Sequence, residues 1–506
     1  MSSKCIKAKD GSILLKKDEI LERWTEYIKE LFEDNRNTIP RISKDISGPK
    51  IMADETRKAI RSMKRNKACG PDFITAEMLY ATENFSVDKI TSIANNIYDT
   101  GEFPNELMQS IFIAIPKKPG ASECELHRTI SLMSVVTKII LKVLLMRMRS
   151  RLRPEINQVQ CGFTEDTGTR NAIFILRNLC ERSIEVNKDL YLCFIDYTKA
   201  FDKVRHETLL DMLQELEIDG KDIRVIRNLY WNQEAAVRHD GEYSKFCKIK
   251  RGVRQGCLLS PNLFNLYSEN IIRSIEEVKG IVIGGYNLNN LRYADDIVLI
   301  ADSREKLQEM LDKIVQHSEE RGLSINLQKT ECMVVSKRES APACEIEIGN
   351  KPVKQVESFI YLGTQIHQDG RCIQEIERRI AMAKNAYEQM SELFKSRSIS
   401  LTTKQRLLNT YIYPILMYAS ECWTITEVAR KKIEAAEMWF YRRILRISYT
   451  DHITNEEVLK RMDTERILMR RIRKQQIVFL GHVLRNKEIE NISNCYWKIG
   501  GKTRRR

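Results

Sequence analysis

Two adjacent carboxylates, Asp295 and Asp296, interrupt the apolar run from Leu291 to Ile300 in a chain that is otherwise strongly basic. Apolar, β-branched runs of this length form buried strands, and a buried strand is a costly place for charge. The pair therefore marks either a tight turn between two strands or a surface that needs negative charge. Asp is a favoured turn residue, so a solvated hairpin tip is one sufficient account. A divalent-cation site is the chemical account, because hard cations are held by one or two carboxylates plus substrate phosphates. A third carboxylate supports the second account: the apolar run from Leu190 to Ile195 ends in Asp196. The C-terminal edge of such a strand is where α/β proteins place functional groups. Carboxylates converging from separate strands repel one another unless cations neutralise them. Two metal ions between them can activate an attacking hydroxyl and stabilise the leaving oxygen of a phosphoryl transfer.

Such a transfer also needs a hold on the departing phosphates. The apolar stretch Ile111 to Ile115 ends at Pro116 and delivers Lys117 and Lys118 into a turn. Arg128 precedes Ile130-Ser131-Leu132 and a long helical stretch to about Arg153. These cations could clamp a triphosphate, although taken singly each is ordinary solvated surface charge. Gly252-Val253-Arg254-Gln255-Gly256 opens a helix and lets backbone approach a ligand closely. Together these features describe a nucleotidyl transferase.

The elements that must position these groups are legible from periodicity. Residues 17–34 carry Ile20, Leu21, Trp24, Tyr27, Ile28, Leu31 and Phe32 on one helical face, which must pack on something. Helices are expected at 50–66, from Pro71 or Asp72, at 170–183, twice within 206–232, and at 303–321. Asp302 and Glu305 could form a capping box for the last of these, which Gly322 closes. Asp240-Gly241 is a hairpin turn. Ser324 to Thr330 and Phe359 to Gly363 read as strands, and beyond residue 372 helices follow at 373–397, 402–420 and 427–447.

Composition sets the class. The 506 residues, 42% hydrophobic and 30% charged, describe a folded chain of two to four domains or subdomains. A net charge of +14 favours a polyanionic partner such as nucleic acid, or an anionic membrane surface. From Lys460 to Arg506 there are 14 basic and 4 acidic residues, so the C-terminal segment carries most of that excess. No apolar run approaches the roughly 18 residues needed to span a bilayer, and the first ten residues contain no signal-peptide core. The 13 cysteines form no CxxC pair, which suits reduced thiols and a cytoplasmic or nuclear protein.

The motifs taken in order resemble those of reverse transcriptases. Phe194-Ile195-Asp196-Tyr197-Thr198-Lys199-Ala200-Phe201-Asp202 looks like the first catalytic motif, and Tyr293-Ala294-Asp295-Asp296 like the second. The Gly252–Pro261 loop resembles the template-and-nucleotide loop. Ile115-Pro116-Lys117-Lys118 and Arg128-Thr129-Ile130-Ser131-Leu132 are similar to the finger motifs. Gly322 to Thr330 and Tyr361-Leu362-Gly363 resemble the last palm motifs. The likeness spans about residues 55–370 and points to the non-LTR, LINE-like retrotransposon enzymes, of a compact RTE-like type. It implies an α+β right-hand polymerase: an N-terminal helical extension at 1–49, fingers and palm at 50–370, a helical thumb at 371–450 and a basic helical region at 451–506.

The resemblance also implies roles. Asp196 and Asp295 would ligate two Mg²⁺ ions, replaceable by Mn²⁺, with the Tyr197 carbonyl assisting and Asp296 completing the acidic cluster. Lys329 would donate a proton to pyrophosphate. Lys117, Lys118 and Arg128 would hold the triphosphate, and Phe201 would reject a ribose 2′-hydroxyl. Gln255 and Gly256 would lie against template and nucleotide, and Tyr361-Leu362-Gly363 would grip the primer. RNA template, DNA primer or nicked target DNA, and dNTPs would be the partners, with no membrane. Cys69, His127, Thr129 and Thr164-Glu165-Asp166 depart from the residues common in the family. No endonuclease segment fits ahead of Lys17, so a truncated retrotransposon reading frame is expected. A nucleic-acid-binding relic and a maturase-like RNA chaperone are the alternative classes on the same fold.

Overall fold

A computed structural model of the chain describes residues 5–36, 38–283 and 285–486. Helices and largely antiparallel sheets mix along the chain, as the α+β expectation requires. The backbone gathers into two compact units, each assembled from separated stretches. The first takes residues 1–157, 197–274 and 313–325; the second takes 158–196, 275–312 and the chain from 326 onward.

The first unit contains a sheet whose strands run in the order His127–Met133, Gln109–Pro116, Glu234–His239, Glu242–Tyr243, with Cys247–Lys248 also paired to Glu234–His239. The tight turn at Asp240-Gly241 is present, both residues having positive φ (46° and 87°), as an Asp-Gly hairpin demands. The opening helix, Lys17–Leu31, buries Ile20, Trp24, Tyr27 and Ile28 in one core with Phe112, Ala235 and Val237 of this sheet. That sheet is what its apolar face required. The expected helix start at Pro71 or Asp72 is displaced. The helix is Ala76–Ala81, with the Thr75 hydroxyl capping Met78 N–H, while Asp72 accepts a hydrogen bond from Ser134 Oγ at 2.5 Å.

The second unit is built on a five-stranded sheet in the order Asn290–Tyr293, Asp296–Ala301, Leu190–Ile195, Glu331–Val335, Lys354–Gln355. All neighbours are antiparallel except the last pair. Leu192, Phe194, Val298, Ile300, Met333 and Val335 share a core with Leu176 and Leu179 of helix Thr169–Glu185. Cys193, Ile195, Ile297 and Leu299 are buried on the opposite face, so the strands read as unbroken apolar runs. A hairpin of Ser358–Tyr361 and Thr364–His367 follows. Helices Ile373–Gln389, Ser391–Lys395, Glu427–Leu445, Asn455–Met462 and Leu468–Arg485 then pack around Ile376, Tyr387, Tyr413, Ile433 and Phe440. The expected 402–420 helix runs only from Leu401 to Leu416 and passes through a π-helical stretch at Leu408–Ile412. The basic segment from 487 on lies outside the described residues.

Two further expectations are corrected. Ser303, not Asp302, caps helix Arg304–Glu320: its hydroxyl accepts from Lys306 N–H at 3.4 Å, and Asp302 pairs with the Lys306 ammonium at 2.7 Å. Residues 324–330 do not form a strand. Asn326 closes a turn in which its carbonyl accepts from Lys329 and Thr330 N–H (3.1 and 2.9 Å), and the strand begins at Glu331. A turn-forming side chain outcompeted the strand ladder, since Asn326 Oδ1 also accepts from Gln328 N–H at 3.1 Å.

Candidate active site

In the second unit, Tyr293 and Asp296 pair across the end of a hairpin, leaving Ala294 and Asp295 as its two-residue turn. Both accounts of the acidic pair therefore meet here: the turn exists, and it presents carboxylates. Ala294 has φ +59°, a conformation that a residue with a side chain adopts only under constraint. The constraint is Gln160. Its fully buried Oε1 accepts from Ala294 N–H at 3.0 Å and from Gly162 N–H at 2.9 Å. Gly162 itself lies so close that a Cβ there would sit 2.3 Å from the Ala294 nitrogen. Sequence reading marked Gly162 only as loop punctuation and missed Gln160. A single amide in a loop carries no periodic signal.

The neighbouring strand pairs Ile195 with Ile297 and ends at Asp196, so Asp196 and Asp296 stand at adjacent strand ends. Asp196 is fixed through its backbone: its carbonyl accepts from Asn326 N–H at 2.7 Å, and its N–H donates to Thr330 Oγ1 at 3.4 Å. Its carboxylate, 35% exposed, faces the Lys329 ammonium at 3.3 Å. Lys329 is itself 66% exposed, so this pair contributes little to stability and separates readily.

Asp196, Asp296, Lys329 and the Tyr361-Leu362-Gly363 turn line one cleft of about 500 Å³. Asp295 is half-buried in the turn beside Asp296. Phe194, beneath the cleft, stacks on Phe359 with ring centroids 4.0 Å apart. Leu362 and Gly363 both have positive φ (46° and 81°), giving the tight two-residue connection of a hairpin. The turn is anchored to the helices that follow. Gly363 carbonyl accepts from Arg378 Nη2 at 2.7 Å and from Arg379, and Leu362 carbonyl accepts from Tyr418 hydroxyl at 2.8 Å.

Among the described residues no three carboxylate, imidazole or thiol groups are gathered tightly enough to enclose a metal ion by themselves. Two to three accessible aspartates at strand ends suit a hard divalent cation that completes its shell with water and substrate phosphate. The donor set fits such an ion.

The first unit holds the other predicted residues. Ile115 pairs with Arg128, which brings Lys117, just past the strand end, to the same edge as Arg128. Lys118 is exposed in the following turn. Ser131 N–H donates to Gln255 carbonyl at 2.8 Å, and Gly256, at φ +108°, lies 3.0 Å (at its Cβ position) from Ser131 carbonyl, a fit that a side chain would spoil. Phe201 stacks on Phe264 at 4.2 Å. Tyr197 is buried and its hydroxyl shares a 2.8 Å hydrogen bond with Ser318.

Sequence reading did not single out Asp202, which turns out to be central. It is buried and accepts from Gln255 Nε2 at 3.2 Å. Burial pushes its carboxyl up to about 6, against the opposing pull of Lys199, Gln255, Lys117 and Arg128. Gln255 thus bonds this carboxylate, next to Phe201 in the chain, and Lys199, Lys117 and Arg128 act on it only through their charge. Arg254, also buried, braces the loop by donating to Gln233 Oε1 and Met108 carbonyl, each at 2.7 Å.

Residues 115–366 match the family described as reverse transcriptase (RNA-dependent DNA polymerase). The chain belongs to the reverse transcriptases of non-LTR retrotransposons, whose members generally work with divalent metal ions. A transposon-derived protein of Caenorhabditis elegans is 31% identical over 216 residues, 41% of this chain and 75% of that one. The Pol polyprotein from the type-1 retrotransposable element R2 of Nasonia vitripennis is 29% identical over 333 residues, 63% of this chain and 31% of that one. The RNA-directed DNA polymerase from the mobile element jockey of Drosophila funebris is 24% identical over 387 residues, 74% of this chain and 42% of that one. The chain therefore spans about a third of the R2 protein's length. Among the described residues no helix is long and apolar enough to cross a membrane.

Proposed function

We propose that the chain is an RNA-directed DNA polymerase that joins a primer 3′-hydroxyl to the α-phosphate of a deoxynucleoside triphosphate and releases pyrophosphate. The observation that carries this reading is the single cleft lined by Asp196, Asp296, Lys329 and the 361–363 turn. Asp196 and Asp295, with the Tyr197 carbonyl, would hold two Mg²⁺ ions, and Asp296 would complete the acidic surface. Bound there, the ions supply Lewis-acid activation of the hydroxyl and charge neutralisation at the phosphates.

The chain's own groups do the rest. Lys329 balances Asp196 and, with its ammonium exposed, is placed to give a proton to the departing pyrophosphate. The Leu362-Gly363 turn, locked by Arg378, Arg379 and Tyr418, offers a rigid edge for the primer terminus. Lys117, Lys118 and Arg128 hold the triphosphate, Phe201 excludes a 2′-hydroxyl, and Gln255 with Gly256 meets the template base pair. An RNA template, a DNA primer or nicked target DNA, and dNTPs are the partners. The twelve described cysteines are all free thiols, which supports work in the cytoplasm or nucleus.

The test is primer extension on poly(rA)/oligo(dT) with and without Mg²⁺. Metal-dependent incorporation of dTMP is expected; salt-sensitive RNA binding without any extension would instead establish a nucleic-acid-binding role.

A further inference from the structure

We propose that the opening helix, Lys17–Leu31, is a positioning element for the nucleotide-handling segments of the first unit, with Tyr27 and Lys199 as its central pair. In naming those segments it rests on the polymerase reading above. Trp24, Tyr27 and Leu31 follow one another at helical spacing on one face. Each meets a different segment.

Trp24 sets its ring edge-on to His127, centroids 5.4 Å apart, and His127 is the residue before Arg128. The Tyr27 hydroxyl accepts a hydrogen bond from the Lys199 ammonium, which also lies 4.5 Å from the Tyr27 ring centroid. At the helix end, the Leu31 carbonyl accepts from Arg251 Nε and Nη2 at 3.1 and 3.0 Å, and the Phe32 carbonyl accepts from Lys250 N–H at 3.2 Å. Arg251 leads directly into Gly252 and the loop that carries Gln255 and Gly256. One helix thus backs the segments of Arg128, Phe201 and Gln255, although it lies outside the residues that match the family, 115–366.

The middle contact bears the most strain. Lys199 has φ +53°, which a lysine adopts only when its surroundings impose it. Its side chain is half-buried. The tyrosine hydroxyl and ring face are the compensation, because a partly desolvated ammonium gains from both. Held in this way, Lys199 fixes the turn that delivers Phe201 and Asp202, and Asp202 in turn holds Gln255. Tyr27 and Lys199 are therefore positioning residues for the sugar-discriminating ring and the loop.

Two variants of the full chain test this. Tyr27→Phe keeps the ring and removes the acceptor; Arg251→Met releases the Leu31 carbonyl. Each should raise the KM for dNTP about fivefold, the worth of one hydrogen bond, with kcat nearly unchanged. Tyr27→Phe should also lower the preference for dNTP over rNTP, and Tyr27→Phe with Lys199→Met should be no worse than Lys199→Met alone. Amide hydrogen exchange, which needs no catalysis, should rise at 199–202 in Tyr27→Phe and at 252–256 in Arg251→Met. Unchanged KM, sugar preference and exchange, or a lower Tm with KM and sugar preference intact, would overturn the proposal. If the wild-type chain extends no primer, the polymerase reading fails, and the exchange data alone decide whether the helix governs these segments.

Discussion

Asp196 and Asp202 are six positions apart in one motif and live in opposite surroundings. Asp196 ends a strand of the second unit with its carboxylate in an open cleft, offset by an exposed lysine. Asp202, in the first unit, is buried, bonded to Gln255 and under the electrostatic pull of Lys199, Lys117 and Arg128. An accessible carboxylate with a weakly held partner keeps its lone pairs for a ligand. A buried one is committed to its neighbours, and its work is to hold a loop. The motif thus contains one open acid and one buried acid.

Substitution should separate them, and the largest effect belongs to the open site. Asp196→Asn should lower primer extension by about a thousandfold or more, with the unfolding midpoint unchanged; retained activity would remove Asp196 from the chemistry. Lys329→Met should lower kcat by about a hundredfold, read by single-turnover primer extension.

Gly162→Ala sharpens the contrast from beneath the hairpin. Its new methyl meets the Ala294 nitrogen, so a stability loss of about 1–3 kcal/mol is expected. Denaturant unfolding and extension rates should fall together, unlike in Asp196→Asn.

The smallest effect is a slope. The Asp202 carboxyl titrates near 6 in the folded chain against 3.8 for an ordinary aspartate, so between those values the folded state keeps a proton that the unfolded state has lost. Its contribution favours folding at about pH 4 and is lost as pH rises through 6. Asp202→Asn should remove that share of the decline; denaturation midpoints for both proteins from pH 4.5 to 7 measure the difference. Equal slopes would place Asp202 in a solvated setting like that of Asp196.

Much of this was legible in the chain itself. Unbroken apolar runs marked the strands of Asp196 and Asp296 because both faces of that sheet are covered. Turn chemistry offered a hairpin at Asp295-Asp296 as one account, and the turn falls one residue earlier, at Ala294-Asp295. What escaped depends on contacts distant in sequence. Gln160 acts through two backbone N–H groups that only the folded hairpin brings to it. Asp202 lay in plain view within the first motif, but its surroundings come from Phe112, Thr129 and the 252–255 loop, distant in sequence. The 324–330 stretch was misread because its alternation resembles a strand, whereas Asn326 holds a turn by bonds within a few residues. The opening helix was predicted with its apolar face, but not what that face would serve.

The sheet order has a consequence for how the protein is made. Strand Leu190–Ile195 is flanked by Asp296–Ala301 on one side and Glu331–Val335 on the other. During synthesis it leaves the ribosome long before either partner exists, so its apolar residues and both hydrogen-bonding edges wait unpaired. The most aggregation-exposed interval of the protein's life therefore precedes the arrival of Val335, and a chaperone that covers short apolar strands would be needed most during that interval.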